Sequence, residues 1–209
     1  MISVDTLFPY VLPFVTGCSE PLARQAIVQA AIEFCDKTAA MAETLDAFPT
    51  SKGIAEYDVD VPNTQMRVSR IISAKVDDVI VAGIHTTDAA KLTKTDGKPM
   101  GFYTTRTGSV LQVNLYPIPD DKYTIQLTVA YAPAFGATSI EDDLVDYWGE
   151  AISCGAVARI AGTPNMPFSN SDLAMYKRNE FMRHCQAAKI DSYQGRVRSS
   201  TRVALRPLV

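Results

Sequence analysis

Few side chains in this sequence are placed to carry out chemistry, and they are scattered. The two histidines, His85 and His184, stand in no metal-ligand spacing such as HExxH or HxH, so we interpret both as surface or partly packed residues. The sequence contains no GxSxG, P-loop or GxGxxG motif. Three acidic pairs fall at predicted turns or at a helix start, where carboxylates are normally solvated: Asp77–Asp78, Asp120–Asp121 and Asp142–Asp143. We therefore predict no catalytic, cofactor-binding or metal-binding residue, and an enzyme is the weakest of the functional hypotheses.

The four cysteines predict neither a disulfide framework nor a zinc site. They stand at positions 18, 35, 154 and 185 without a CxxC pair, and the last three fall within predicted helices. Such cysteines are usually buried free thiols. The chain has no run of about 18 apolar residues, and it does not begin with the pattern of a secretory signal. We therefore expect no membrane segment and synthesis in the cytoplasm.

Charge is distributed unevenly along the chain. The residues after Asp191 include no acid and four arginines: Arg196, Arg198, Arg202 and Arg206. Set against the total of −3, these arginines leave a net charge of −7 on residues 1–191. In an extended chain residues two apart share a face, so the arginines project to one side and Val197, Val203 and Leu205 to the other. The pattern suits docking on an acidic, grooved protein surface, and neutralisation of nucleic-acid phosphates is the alternative.

The most apolar helix of the chain is predicted between residues 142 and 162, with the sequence DDLVDYWGEAISCGAVARIAG. Apolar residues recur at spacings of three and four and leave little polar face, which is typical of a helix buried between other elements. Ala151, Gly155 and Ala158 are small enough to let neighbouring backbones approach closely. We interpret this segment as the central helix of a small bundle.

Two further long helices are predicted on either side of it in the chain. Ser19 is a suitable N-cap for the first, with Pro21 in its first turn, and this helix ends before Pro49. The third starts at Ser171 and runs to about Ile190. Residues 133–140 are also predicted to return to helix before the central helix begins.

Between residues 54 and 132 the apolar period changes from 3.6 to 2, which indicates strands. One alternating row comprises Val68, Arg70, Ile72, Ala74 and Val76. The clearest rows are 111–115 and 123–131, which are joined by the proline-rich turn PIPDD. We predict that these two rows form an antiparallel hairpin with one buried face.

Together these elements predict an α+β fold. It would be a helical bundle of about three main helices, with an inserted antiparallel β subdomain and an extended C-terminal arm. Residues 1–53 and 133–192 would form the bundle, residues 54–132 the β subdomain, and residues 193–209 the arm. The predicted partner-binding residues all lie in this arm: Arg196, Val197, Arg198, Arg202, Val203, Leu205 and Arg206.

Four stretches of the chain resemble the head-to-tail adaptor (connector, or neck) proteins of tailed bacteriophages. They are the opening LFPYVLPFVTGCSEPLARQAIVQAAIEFCDKT, the phrase VLQVNLYPIPDDKYTIQLTVAYAP, the segment DDLVDYWGEAISCGAVARIAGTPNMPFSNSDLAMYKRNEF, and the closing GRVRSSTRVALRP. The resemblance is one of overall pattern and covers nearly the whole chain. It implies a helical bundle carrying a β subdomain.

The resemblance also implies a structural virion protein in the neck between capsid and tail. Copies of it would form a ring, commonly a dodecamer, beneath the portal protein and above the tail or nozzle proteins. DNA would pass through the lumen without specific binding, and the C-terminal arm would contact the portal. The alternatives are another neck or tail-completion protein, such as a stopper or tail terminator, and a nucleic-acid-binding module.

Overall fold

Helices lie mainly at the two ends of the chain. In a computed structural model, the described residues are 1–108 and 110–194. The α-helices among them are α1 (Phe8–Val11), α2 (Glu20–Thr38), α3 (Thr86–Ala89), α4 (Asp142–Ala161) and α5 (Ser171–Gln194). Short 3-10 turns, Val4–Leu7 and Leu12–Phe14, flank α1. The three long helices therefore begin where capping residues and apolar periodicity place them.

Ten strands are present among the described residues. They are β1 (Ile2–Ser3), β2 (Ala42–Thr44), β3 (Phe48–Pro49), β4 (Glu56–Val59), β5 (Met66–Val76), β6 (Val79–Gly83), β7 (Gly101–Thr107), β8 (Val110–Tyr116), β9 (Thr124–Pro133) and β10 (Ser139–Ile140). Eight of them form one curled sheet in the order β2-β9-β5-β6-β7-β8-β4, with β3 also paired to β9. All of the pairings are antiparallel except that between β6 and β7, so the sheet is mixed.

The predicted fold class is wrong. The structure is mostly a curled mixed sheet, and is not a helical bundle with a small inserted β subdomain. The sheet recruits β2 and β3 from the segment assigned to the bundle, and both pair with β9. The segment 133–140, predicted as helix, instead contains the end of β9 and the strand β10, which pairs with β1. Strands of two or three residues are too short to show an alternating apolar pattern, so the sequence does not reveal them. Their stability comes from pairing with a longer strand.

The predicted hairpin between 111–115 and 123–131 is also wrong. Strand β8 pairs with β7 and β4, whereas β9 pairs with β5, β2 and β3. Both strands nevertheless bury their apolar rows in the same core, formed by the inner face of the curled sheet. Alternation correctly indicates one buried face on each strand, but it does not determine the neighbouring strand.

The helices bury a second apolar core beside the sheet. Helix α4 packs against both α2 and α5 and is buried around most of its circumference, as its composition predicts. Phe34 of α2 contacts Trp148 of α4 and Phe181 of α5, with ring centroids 5.4 and 6.2 Å apart. Helix α2 ends at Thr38, and the φ of 54° at its C-cap residue Ala39 turns the chain towards β2. Apolar packing against α2 and α4 therefore sets the direction in which α5 runs towards Gln194.

Candidate partner-binding surface

The histidines and the acidic pairs lie on separate elements of the fold. His85 is exposed before α3, and His184 is half-buried on α5. Asp77 lies in the turn between β5 and β6, where it accepts hydrogen bonds from Lys98 Nζ at 2.6 Å and from the Thr124 amide at 3.0 Å. In the described part of the chain, no three His, Cys, Asp or Glu side chains are grouped so that they could hold a metal ion. The helices of residues 1–108 and 110–194 include none long and apolar enough to cross a bilayer.

The cysteines lie mostly in the helical core, and all four are free. Cys35, Cys154 and Cys185 are buried, whereas Cys18 is partly exposed. Burial raises the pKa of the Cys185 thiol to about 11 and also raises the pKa of Cys154. Because the thiolate is the nucleophilic form, these buried thiols are unreactive near neutral pH.

An open groove lies beside the last turns of α5. It has a volume of about 910 Å³, and we call it the α5 groove. It is lined by Thr38, Ala39, Ala42, Arg70, Ile71, Ile72, Gln186, Lys189, Ile190 and Ser192. Ile190 is 55% exposed and Ile72 is 47% exposed, so two large apolar side chains face solvent in one place. Exposed apolar groups that cluster in this way are typical of protein-binding surfaces.

Two register shifts in β5 bring Ile72 into this groove. The alternating pattern predicts that Val68, Ile72 and Val76 share one face of β5. The pairing of β5 with β9 shifts register between Val68 and Arg70 and again between Ile71 and Ser73. As a result Val68 and Val76 are buried, while Ile72 points to solvent. No signal in the sequence marks these register shifts.

A cluster of ion pairs fixes α5 against the other long helices. Arg178 of α5 donates two hydrogen bonds to Glu33 of α2, at 2.9 and 2.7 Å. Arg159 of α4 donates to the same carboxylate at 2.5 Å. Burial raises the pKa of Glu33, but the guanidinium groups of Arg178 and Arg159 outweigh this effect, and the pKa is lowered below its usual 4.5. The first half of α5 is therefore held against α2 and α4.

The predicted partner-binding residues of the arm lie outside the described residues. They are Arg196, Val197, Arg198, Arg202, Val203, Leu205 and Arg206. The described chain ends at Gln194, two residues beyond Ser192, which lines the α5 groove. The described chain therefore ends beside an exposed apolar surface. Periodicity did not predict this surface, because both Ile72 and Ile190 occupy positions that only the tertiary structure exposes.

Comparison with known proteins does not assign the chain to a family. No protein-family model matches the chain, and a search of curated protein sequences also gave no match.

Proposed function

We propose that this protein is a structural subunit of a tailed-bacteriophage neck, a head-to-tail adaptor. Copies of it form a ring beneath the portal protein, join the capsid to the tail and let DNA pass. The observation that carries this proposal is the position of the α5 groove at the root of the arginine-rich segment 195–209. The arginine-rich segment, with its alternating apolar residues, suits an acidic, grooved partner surface, and the apolar groove beside it offers a second surface for the same partner.

The negative charge of residues 1–191 favours a channel through which DNA passes and does not favour a protein that binds DNA tightly. Residues 1–191 carry a net charge of −7. Several cations of the described chain are already paired with carboxylates, for example Arg67 with Asp36 at 2.7 Å and Arg24 with Asp5 at 2.8 Å. Paired cations are poor ligands for phosphates. DNA can therefore slide past such a body with little resistance.

Exposed apolar side chains outside the α5 groove support assembly into a larger structure. Phe135 is 73% exposed and Ile80 is 70% exposed, and both lie on surfaces of the sheet region. Contacts between copies, or with neck and tail proteins, would cover side chains of this kind. The competing function is a nucleic-acid-binding module, for which the specific support is the set of four arginines in the same segment.

Binding measurements with the portal protein of the same virus and with duplex DNA separate the two functions. Replacing Arg196, Arg198, Arg202 and Arg206 together by glutamine should weaken attachment to the portal by about tenfold or more, because desolvated ion pairs are lost. The salt dependence of attachment should also become flatter. A control with the same charge change replaces four exposed lysines by glutamine: Lys52, Lys91, Lys94 and Lys122.

The control should attach to the portal as the unmodified protein does. Equal portal affinity of the arginine variant and the unmodified protein would refute a docking role for the segment. If the arginine variant instead loses affinity only for DNA, the nucleic-acid-binding function replaces the proposal.

A further inference from the structure

An acidic hollow lies between the sheet and the start of α4. It has a volume of about 510 Å³. It is lined by Ala40, Met41, Ala42, Glu43, Pro62, Met66, Tyr131, Glu141, Asp142, Asp143, Leu144 and Trp148. Four of these residues carry carboxylates and none is a cation. The only ion pair that the described residues make there joins Asp142 to the amino group of Met1, at 2.9 Å.

Tyr131 gives this hollow an unmet hydrogen-bonding group. The residue is only 2% exposed, and its hydroxyl is the one buried side-chain polar atom without a partner in the described structure. Burial raises the pKa of Tyr131, and the nearby carboxylates of Glu43 and Asp60 raise it further. Because an unpaired buried hydroxyl is unfavourable, a group that pairs with it would bind favourably.

The lining matches an arginine side chain better than a simple cation. Glu43 and Glu141 provide carboxylates that a planar guanidinium can engage with paired hydrogen bonds. The ring of Trp148 offers a surface on which the same group can stack. Met41 and Leu144 can cover the aliphatic stem of an arginine. A remaining N–H of the guanidinium can donate to the hydroxyl oxygen of Tyr131.

The hollow adjoins the α5 groove. Ala42 of β2 lines both the hollow and the α5 groove, so the two depressions adjoin on either side of this residue. Ser192, near the end of α5, lines the groove. The 15 residues beyond Gln194 can span about 50 Å when extended, at roughly 3.3 Å per residue. Arg202 and Arg206 follow Gln194 by eight and 12 residues and therefore have about 26 and 40 Å of extended chain with which to reach the hollow, whereas Arg196 has only about 7 Å.

We propose that the acidic hollow binds an arginine of residues 196–206 of its own chain. This contact holds the C-terminal segment against the body. Attachment within one chain is favoured because a short tether gives the arginine an effective concentration in the millimolar range. The contact is separate from attachment to a portal, and it can be measured in the protein alone.

The test uses Trp148, which is the only tryptophan of the chain and lines the hollow. Acrylamide quenching of its fluorescence reports whether the hollow is covered. In the full chain, replacing Arg196, Arg198, Arg202 and Arg206 by glutamine should increase the quenching constant. The control with glutamine at Lys52, Lys91, Lys94 and Lys122 should leave it unchanged. Raising the salt from about 0.05 to about 0.5 M should expose Trp148 in the unmodified protein and in the lysine control, but should change nothing in the arginine variant, because salt screens the ion pair.

Variants of the hollow test the same contact from the other side. Tyr131→Phe should reduce the ratio of docked to released segment by about tenfold, the value of one hydrogen bond to a charged group. Glu43→Gln should act in the same direction, whereas Glu56→Gln, on the exposed edge strand β4, should have no effect. Quenching that is identical in the unmodified protein and the arginine variant would overturn the proposal. Protection that disappears on dilution would place the segment on a neighbouring copy, and it would overturn the contact within one chain.

Discussion

Phe181 of α5 lies directly against the bare backbone of Gly155 in α4. A Cβ atom at position 155 would stand 2.8 Å from Cδ2 of this ring and 3.0 Å from the Cβ of Ala30. Real Cβ atoms do not approach ring carbons so closely, so the absence of a side chain allows three helices to meet here. The placement of α5, and with it the α5 groove, depends on this contact.

Gly155→Ala should therefore destabilise the protein. Overpacking costs about 1–3 kcal/mol, and the better helix propensity of alanine returns about 1 kcal/mol. We expect a net loss of up to about 2 kcal/mol in the free energy of unfolding, measured by chemical denaturation. The matched control is Gly149→Ala on the same helix, where the nearest atom, Leu7 Cδ2, is 3.4 Å away. Its stability should be unchanged or up to about 1 kcal/mol higher, and equal losses at both sites would contradict the packing described.

Glu33→Gln should remove the ion pairs that join α2, α4 and α5. Because the carboxylate is only 17% exposed but its arginine partners are partly solvated, the cost at pH 7 should be about 1–2 kcal/mol. The comparison is Glu180→Gln, which breaks the pair with Arg183 within one helix and should cost less than about 0.5 kcal/mol. A smaller loss for Glu33→Gln than for Glu180→Gln would argue against the cluster.

The effect of Glu33 should also depend on pH. Its pKa is lower in the folded protein than the usual 4.5, so the ionised group stabilises the fold fully above about pH 4.5. This contribution is lost as the pH falls through the lower pKa of the folded state. The difference in unfolding free energy between the unmodified protein and Glu33→Gln should therefore be constant near neutrality and shrink in acid. Denaturation curves at several pH values would reveal a constant difference if the pKa of Glu33 were unshifted.

Thiol labelling should distinguish Cys18 from the other cysteines. Burial raises the pKa of all four thiols, but only Cys18 is partly exposed, whereas Cys35, Cys154 and Cys185 are buried in the helical core. In the native protein a thiol reagent should modify one group quickly and the other three only as fast as the core opens. Mass spectrometry of the labelled protein counts and locates the modified residues. Rapid modification of all four would show that the long helices do not pack as described.

The α5 groove should contribute to portal attachment without contributing to folding. Replacing Ile72 and Ile190 by serine should weaken attachment by about tenfold or more if each buries about half of its surface on docking. The unfolding free energy should change by less than about 0.5 kcal/mol, because both side chains are already exposed. Ile54→Ser is the control, since Ile54 is 49% exposed but lies outside the groove. Weaker attachment of this control alone would place the portal contact elsewhere.

Local periodicity was enough to locate the long helices and the buried faces of the main strands. The starts near Ser19, Asp142 and Ser171 agree with residue types suited to a helix N-terminus and with apolar residues three and four apart. Likewise, Leu127 and Val129 of β9 are buried as their alternation predicts. These features depend on interactions between residues close in sequence, so the sequence records them directly. The negative body and the arginine-rich segment are also properties of the sequence alone.

The tertiary structure decided which elements meet. Strand β9 pairs with β5, β2 and β3 and not with β8, and β6 pairs with β7 in parallel. Glu33 meets Arg159 and Arg178 across 126 and 145 residues of chain. The exposure of Ile72 follows from register shifts in the pairing of β5 with β9, and the burial of Tyr131 likewise depends on tertiary packing. Such contacts gain their energy from surfaces brought together only on folding, and no period in the sequence encodes a partner that lies so far along the chain.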